Sequence, residues 1–376
     1  MRIEPSNQPG FHDVTFTWRD HSSVEPSRAV LVRLVSHTDA AFDTGDLDRY
    51  MMDRGEHGEG WELTLTLPSA LRTSYQICPI PDDGRVGQPS PERWAEICHR
   101  GLPDPTNPKT LPAGVTFGNA RQASVLELPE APTQPWQVRQ AGVPAGSTSR
   151  HAVVSSAGTP TQVHLYLPRG HRATVAYPVL VMFDAGMWAN VDVAATFDNL
   201  IAAGRIPPIV VAGIESGRGP ERWRQLTYPS VFEPLVWETL LPWLRASWSV
   251  SARPGDLIVA GQSLGAIAAA HLARSRPELV GWMIGQSPAL WWPGDAGGGL
   301  SGRDVIDSHV ERPANGSTRY FLEAGSTEGA LLDSARSFRD ALTGSAKEVL
   351  YREYEGGHDL ACWRGGLADG LVAALG

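Results

Sequence analysis

The run Asp256-Leu-Ile-Val-Ala-Gly-Gln-Ser-Leu-Gly265 leads directly into Ala266-Ile-Ala-Ala-Ala-His-Leu-Ala273, so an apolar stretch meets an Ala-rich one through Gly-x-Ser-x-Gly. Leu257 to Ala260 show no polar alternation, which predicts a strand covered on both faces, the situation of a parallel strand between helix layers. The alanines that follow predict a helix packed on that strand. Gly261 and Gly265 flank Ser263 because a sharp strand-to-helix turn leaves no room for larger side chains there. Such a turn presents its serine at the carboxyl edge of a sheet, where Ser263 is placed as a nucleophile.

A serine hydroxyl attacks only when a neighbouring base takes its proton. His358, in Tyr354-Glu-Gly-Gly-His-Asp-Leu360, follows the last strand-like segment, Glu348 to Tyr354, and precedes a terminal helical stretch. Of the 11 histidines it alone lies beyond that strand, in the chain order serine, acid, histidine of α/β-hydrolases. The acid that orients it is expected after the preceding strand, Thr318 to Ala324. Glu328 stands a few residues past that strand and is the first choice. Glu323 within the strand and Asp333 on the following helix compete with it, and a Ser263–His358 dyad with Glu328 as a helix cap is the alternative. An oxyanion formed in acyl transfer needs two backbone N–H donors. Leu264, after the nucleophile, supplies one. Gly186 or Met187 supplies the other, where the strand Pro178 to Phe183 breaks into Asp184-Ala-Gly186.

At 376 residues, with 42% hydrophobic and 19% charged residues, the chain is a soluble globular protein long enough for two domains. Residues 1–128 carry alternating segments such as Gly60-Trp-Glu-Leu-Thr-Leu-Thr-Leu67 and no good helix, which predicts a small all-β sandwich. Residues 129–144 form a Pro-rich linker. From 145 to 376, paired strands near His151 and Gln162 precede strands around Leu180, Val210, Ile258, Met283, Phe321 and Leu350. Helices centred on Phe197, Trp237, Ala268, Val305, Ala335 and Leu371 alternate with these strands, the pattern of a doubly wound, mainly parallel α/β-hydrolase domain. Cys78, Cys98 and Cys362 have no metal-ligand spacing and are expected as free thiols. A net charge of −9 without Lys or Arg runs speaks against nucleic acid and anionic membranes as partners. The first residues lack a secretory pattern and no apolar stretch spans a bilayer, so a cytoplasmic location is expected.

Beyond these elements, several ordered segments stand along the whole chain. They are Val14 to Asp20, Asp104-Pro-Thr-Asn-Pro108, Leu126-Glu-Leu-Pro-Glu-Ala-Pro-Thr-Gln-Pro-Trp136, Gly261 to Gly265, Gln286-Ser-Pro-Ala-Leu-Trp-Trp292, Leu322-Glu-Ala-Gly325 and Gly356-Gly-His-Asp-Leu-Ala-Cys-Trp-Arg364. Together they resemble the enterochelin (enterobactin) esterases, in which an esterase-D-like α/β-hydrolase domain follows an N-terminal β-sandwich. The resemblance implies a serine esterase that cleaves a catecholate trilactone in the cytoplasm, with no cofactor and with iron only as part of the substrate. It assigns the nucleophile to Ser263, the histidine to His358 and the post-strand carboxylate to Glu328. It also matches Arg222 to a family arginine, suited to catecholate oxygens. Trp188 and Trp292, just beyond strand ends, are expected to stack on aromatic acyl groups. Two positions depart from the family pattern: Ala266 and Ala185 stand where glycines are usual. A feruloyl-type or general carboxylesterase, an acyltransferase or thioesterase-like enzyme of natural-product assembly, and a siderophore binder without turnover are the rival readings.

Overall fold

The computed structural model describes residues 1–19, 27–55, 60–81, 86–114, 121–155, 158, 160–294, 297–311 and 317–376; Asp20, the last residue of the first matching segment, lies outside them. Contacts divide the chain into two compact units. The first comprises Met1–Thr133 with the segments Gly325–Gly329 and Tyr354–Cys362, and the second comprises Gln134–Ala324, Ala330–Glu353 and Trp363–Gly376.

Unit 1 contains the strands β1 (Arg2–Pro5), β2 (Phe11–Trp18), β3 (Ala29–Leu34), β4 (Asp53–Arg54), β5 (Trp61–Pro68), β6 (Arg72–Ile80), β7 (Thr110–Leu111) and β8 (Ala123–Glu127). They form two four-stranded antiparallel sheets, in the orders β1-β2-β5-β4 and β3-β6-β8-β7. The alternation of β5 sets one inner face: Trp61, Leu65 and Leu67 are buried while Glu62, Thr64 and Thr66 are exposed. These residues share a core with Phe16 of β2, Leu31 of β3, Tyr75 and Ile77 of β6 and Leu126 of β8. The expected sandwich is therefore present, but it is not free of helices. Helix α1 (Val35–Thr44) continues directly from β3, and α2 (Pro91–His99) begins at Ser90, whose Oγ accepts from the Arg93 N–H at 3.2 Å. Pro91 at its first position fits the same start.

Unit 2 is built on β9 (Ser147–Val154), β10 (Pro160–Leu167), β11 (Val179–Met182), β12 (Val210–Ile214), β13 (Leu257–Gln262), β14 (Val280–Gln286), β15 (Arg319–Gly325) and β16 (Glu348–Tyr354). These eight strands form one sheet in the order β16-β15-β14-β13-β11-β12-β10-β9. Pairings are parallel from β12 through β11, β13 and β14 to β15, and antiparallel at the β9–β10–β12 end. Helices α3 (Ala185–Asn190), α4 (Val193–Ala202), α5 (Gly219–Thr227), α6 (Pro229–Glu233), α7 (Leu241–Trp248), α8 (Leu264–Ser275), α9 (Gly302–Glu311), α10 (Ala330–Leu342) and α11 (Leu360–Leu375) accompany it. Every residue of β13 is buried, and the small side chains of Ala266, Ala268, Ala269 and Ala270 on α8 let the helix lie close on the sheet. This mainly parallel doubly wound sheet is the α/β-hydrolase architecture expected from sequence. Among the described residues no helix is long and apolar enough to cross a membrane.

Candidate active site

Ser263 occupies the turn between β13 and α8, with φ 56° and ψ −125°. A non-glycine residue held there stores about 1–3 kcal/mol of backbone strain, which the surrounding packing must offset. The flanking glycine explains the tightness: a Cβ on Gly261 would lie 2.1 Å from the Gly265 carbonyl oxygen. The turn is further fixed by the Ser263 N–H, which donates to the Gln286 carbonyl at 3.0 Å, and by the Ala289 N–H, which donates to the Ser263 carbonyl at 3.2 Å. Leu264 opens α8, where first-turn N–H groups lack intrahelical acceptors and point outward.

The loop after β11 is held by a polar network that the sequence did not announce. Asp184 has φ 58°, a left-handed conformation uncommon for a non-glycine residue, and its N–H donates to Ser216 Oγ at 3.2 Å. Arg222 on α5 clamps its carboxylate through Nε at 2.8 Å and Nη2 at 2.7 Å. Gln262, next to Ser263, donates through Nε2 to the same carboxylate at 2.6 Å and accepts from Trp188 Nε1 at 3.2 Å. Arg222 thus faces Asp184 with two of its nitrogens, and Trp188, only 2% exposed, is a core residue. Gly186 and Met187 lie in the first turn of α3, where the Met187 N–H already donates to the Asp184 carbonyl at 3.0 Å. A Cβ on Gly186 would come within 2.7 Å of the Glu215 carboxylate. Ala185, where the family pattern has glycine, is accommodated by Gly213 on β12, at which any Cβ would lie 2.9 Å from that of Ala185.

Trp292 meets an exposed aromatic group instead. Its ring centroid is 5.4 Å from that of Trp223 and 6.1 Å from that of Trp291, and both partners are largely solvent-exposed. Trp291 and Trp292 follow Ala289 within a few residues, so this cluster is tied through the chain to the residue that braces Ser263.

His358 and Glu328 both belong to unit 1. His358 Nδ1 lies 3.2 Å from Glu328 Oε2. The other oxygen of Glu328 accepts from the Gly325 N–H at 2.8 Å and from the Tyr354 hydroxyl at 3.2 Å. The Glu328 side chain is fully buried and His358 remains partly exposed. Its two competitors are engaged elsewhere. Glu323 accepts from Gln286 Nε2 at 2.6 Å and pairs with Arg352 at 2.7 Å, and burial raises its pKa. Asp333 is exposed beside Arg336 at 3.5 Å. The structure therefore brings Glu328 and His358 together in one unit, and groups Ser263, Leu264, Gly186, Met187, Arg222, Trp188 and Trp292 in the other. Cys78, Cys98 and Cys362 are buried free thiols, and no group of His, Cys, Asp and Glu among the described residues could hold a metal ion.

Comparison with known proteins bears on both units. A family model described as an N-terminal domain of enterochelin esterase matches residues 13–137, and one described as a putative esterase matches residues 155–374. An iron(III) salmochelin esterase of Escherichia coli is 32% identical over 378 residues, covering 96% of this chain and 86% of the relative. An iron(III) enterobactin esterase of Escherichia coli is 28% identical over 370 residues, covering 96% and 90%. Among solved structures, the ferric enterobactin esterase of Salmonella typhimurium superposes with a TM-score of 0.86 at 26% identity, over 99% of this chain and 95% of that one. The enterobactin esterase of Shigella flexneri, crystallised in the presence of enterobactin, gives 0.81 at 25% over the same shares.

Proposed function

The chain belongs to the enterochelin esterase family and is an ester hydrolase, and we propose that it cleaves the ester bonds of a catecholate siderophore trilactone of the enterobactin type. The observation that carries this reading is the nucleophile turn itself: a strained, glycine-flanked Ser263 between a buried parallel strand and a helix, in a chain whose relatives match along nearly all of its length. In the proposed reaction His358 takes the hydroxyl proton as Ser263 Oγ attacks an ester carbonyl. Glu328, already at His358 Nδ1, fixes the tautomer that leaves Nε2 to accept that proton. The N–H groups of Leu264 and Gly186 stabilise the tetrahedral oxyanion, a contribution of about 10²–10³ in rate per donor. Collapse expels the alcohol of the neighbouring serine unit, with His358 returning the proton. Water then attacks the acyl-enzyme and releases a hydroxy acid.

Trp292, with Trp223 and Trp291, offers flat faces for catechol rings. Arg222 serves the site by holding Asp184 and, through it, the oxyanion loop. We assign the reaction to the cytoplasm, with no resident cofactor and with iron entering as substrate cargo. A substrate panel tests the reading: kcat/KM for the ferric and iron-free trilactones should exceed that for feruloyl and simple aryl esters, with products identified by mass spectrometry. Preference for feruloyl esters, or acyl transfer to an added amine in place of water, would overturn it.

A further inference from the structure

The segment bearing His358 is fastened to the N-terminal sandwich by a buried carboxylate that the acyl-transfer chemistry does not use. Asp359, adjacent to His358 in the chain and wholly inaccessible to solvent, accepts a hydrogen bond from the Ser74 N–H on β6 through Oδ2. The same oxygen lies 3.3 Å from Thr73 Oγ1, and Oδ1 accepts from the Ala361 N–H at 2.9 Å. Asp359 therefore joins three structural features: a strand of the sandwich, the adjacent histidine and the first turn of α11.

Further contacts run along the same seam. The Arg72 N–H donates to the Glu355 carbonyl at 3.1 Å, and Cys362 Sγ donates to the Arg72 carbonyl at 3.2 Å. Gly356 is pressed so closely onto β6 that a Cβ there would lie 2.7 Å from the Arg72 carbonyl oxygen and 2.8 Å from Cys362 Sγ. Residues 354–362 accordingly group with the N-terminal unit although they lie over 200 residues beyond it in the chain.

We infer that Asp359 is a positioning residue for the general base, and that the N-terminal sandwich, through β6, sets where the His358 imidazole stands. This rests on the reading of His358 as the base. A backbone N–H is a donor that no side-chain substitution in the sandwich can supply elsewhere, so the carboxylate is the accessible half of the clamp. Removing it frees the loop between Gly356 and α11 to shift while the imidazole, Glu328 and the nucleophile turn keep their chemistry. A displacement of about 1 Å at a reacting group costs about 10²-fold in rate.

The test uses the full-length chain with a catecholate trilactone. In Asp359→Ala we expect kcat to fall about 10²-fold with KM within about twofold of the parent, and phosphonate labelling of Ser263 to slow in proportion. Asp359→Asn, which keeps an oxygen for the Ser74 N–H, should recover most of kcat. Gly356→Ala, which pushes the loop off β6 from the other side, should reproduce the Ala signature and stands in if Asp359→Ala does not fold. The inference is overturned if folded Asp359→Ala or Gly356→Ala retains parental kcat, or if Asn and Ala at 359 are equally impaired. His358→Ala separates the two levels: if it is inactive while the Asp359 variants are unimpaired, only the positioning role fails, whereas an active His358→Ala removes the base assignment itself.

Discussion

Replacing Arg222 by Met separates a structural from a substrate-binding arginine. The guanidinium and the Asp184 carboxylate form a two-pronged pair at 2.8 and 2.7 Å, with side-chain exposures of 16% and 8%. Removing one partner of a buried pair costs about 3–5 kcal/mol, chiefly because the other charge is left uncompensated. Gln262 still donates to Asp184 in the variant, which places the expected loss at the lower end, about 3 kcal/mol. Urea denaturation followed by tryptophan fluorescence measures it. Neutralising the stranded acid should restore much of the loss, so Arg222→Met with Asp184→Asn is expected to be more stable than Arg222→Met alone. Activity follows from position: Asp184, in a left-handed conformation, immediately precedes the first turn of α3 that carries the proposed oxyanion donor Gly186, so the single variant should lose about 10–10² in kcat with little change in KM. An unchanged denaturation midpoint together with a raised KM and normal kcat would refute this reasoning and return Arg222 to the substrate.

Three other outcomes follow from the packing around the site and in the core. Gly261→Ala places a Cβ 2.1 Å from the Gly265 carbonyl oxygen, so it should cost about 3 kcal/mol and most of the activity, seen by thermal denaturation and by turnover. Glu328→Gln keeps the shape beside His358 but favours the wrong tautomer, and kcat should fall roughly 10²–10⁴-fold in a protein that remains folded. His309 is buried, which lowers its pKa to about 4, while its ring nitrogen contacts the Val305 carbonyl at 2.7 Å. Its neutral form is favoured by folding, so its contribution is complete above about pH 6.5 and is lost as pH falls toward 4, by about 3 kcal/mol. Urea midpoints across that window should show a slope that His309→Leu reduces.

The candidate site is legible where local sequence and close packing coincide. The all-apolar Leu257–Ala260 run reads as a covered strand, as β13 is, and the glycines around Ser263 report a turn with no space for a Cβ. Position relative to strand ends made Glu328 preferable to Glu323 and Asp333, a preference consistent with the buried contact to His358. The missed features are of two kinds. Helix α2 carries a cap signal in Ser90 and Pro91, but it is short and stands among strand-like neighbours. Helix α1 carried none: Val35-Ser-His-Thr-Asp-Ala-Ala-Phe-Asp-Thr44 mixes β-branched and weak helix formers, and tertiary contacts decide its state. The Asp184–Arg222–Gln262 network and the Asp359–β6 clamp join residues distant along the chain, and no periodicity encodes such pairings. Trp188 and Arg222 illustrate the same limit, since proximity to a strand end says nothing about which way a side chain turns.

The central claim is that acyl transfer passes through the Ser263 hydroxyl. Brief incubation with a catecholate trilactone, acid quenching and peptide mass mapping should reveal a dihydroxybenzoyl-serine-containing acyl adduct on the peptide carrying Gly261 to Gly265. That adduct and all turnover should be absent in Ser263→Ala. An adduct on another residue, or undiminished hydrolysis by Ser263→Ala, would contradict the account.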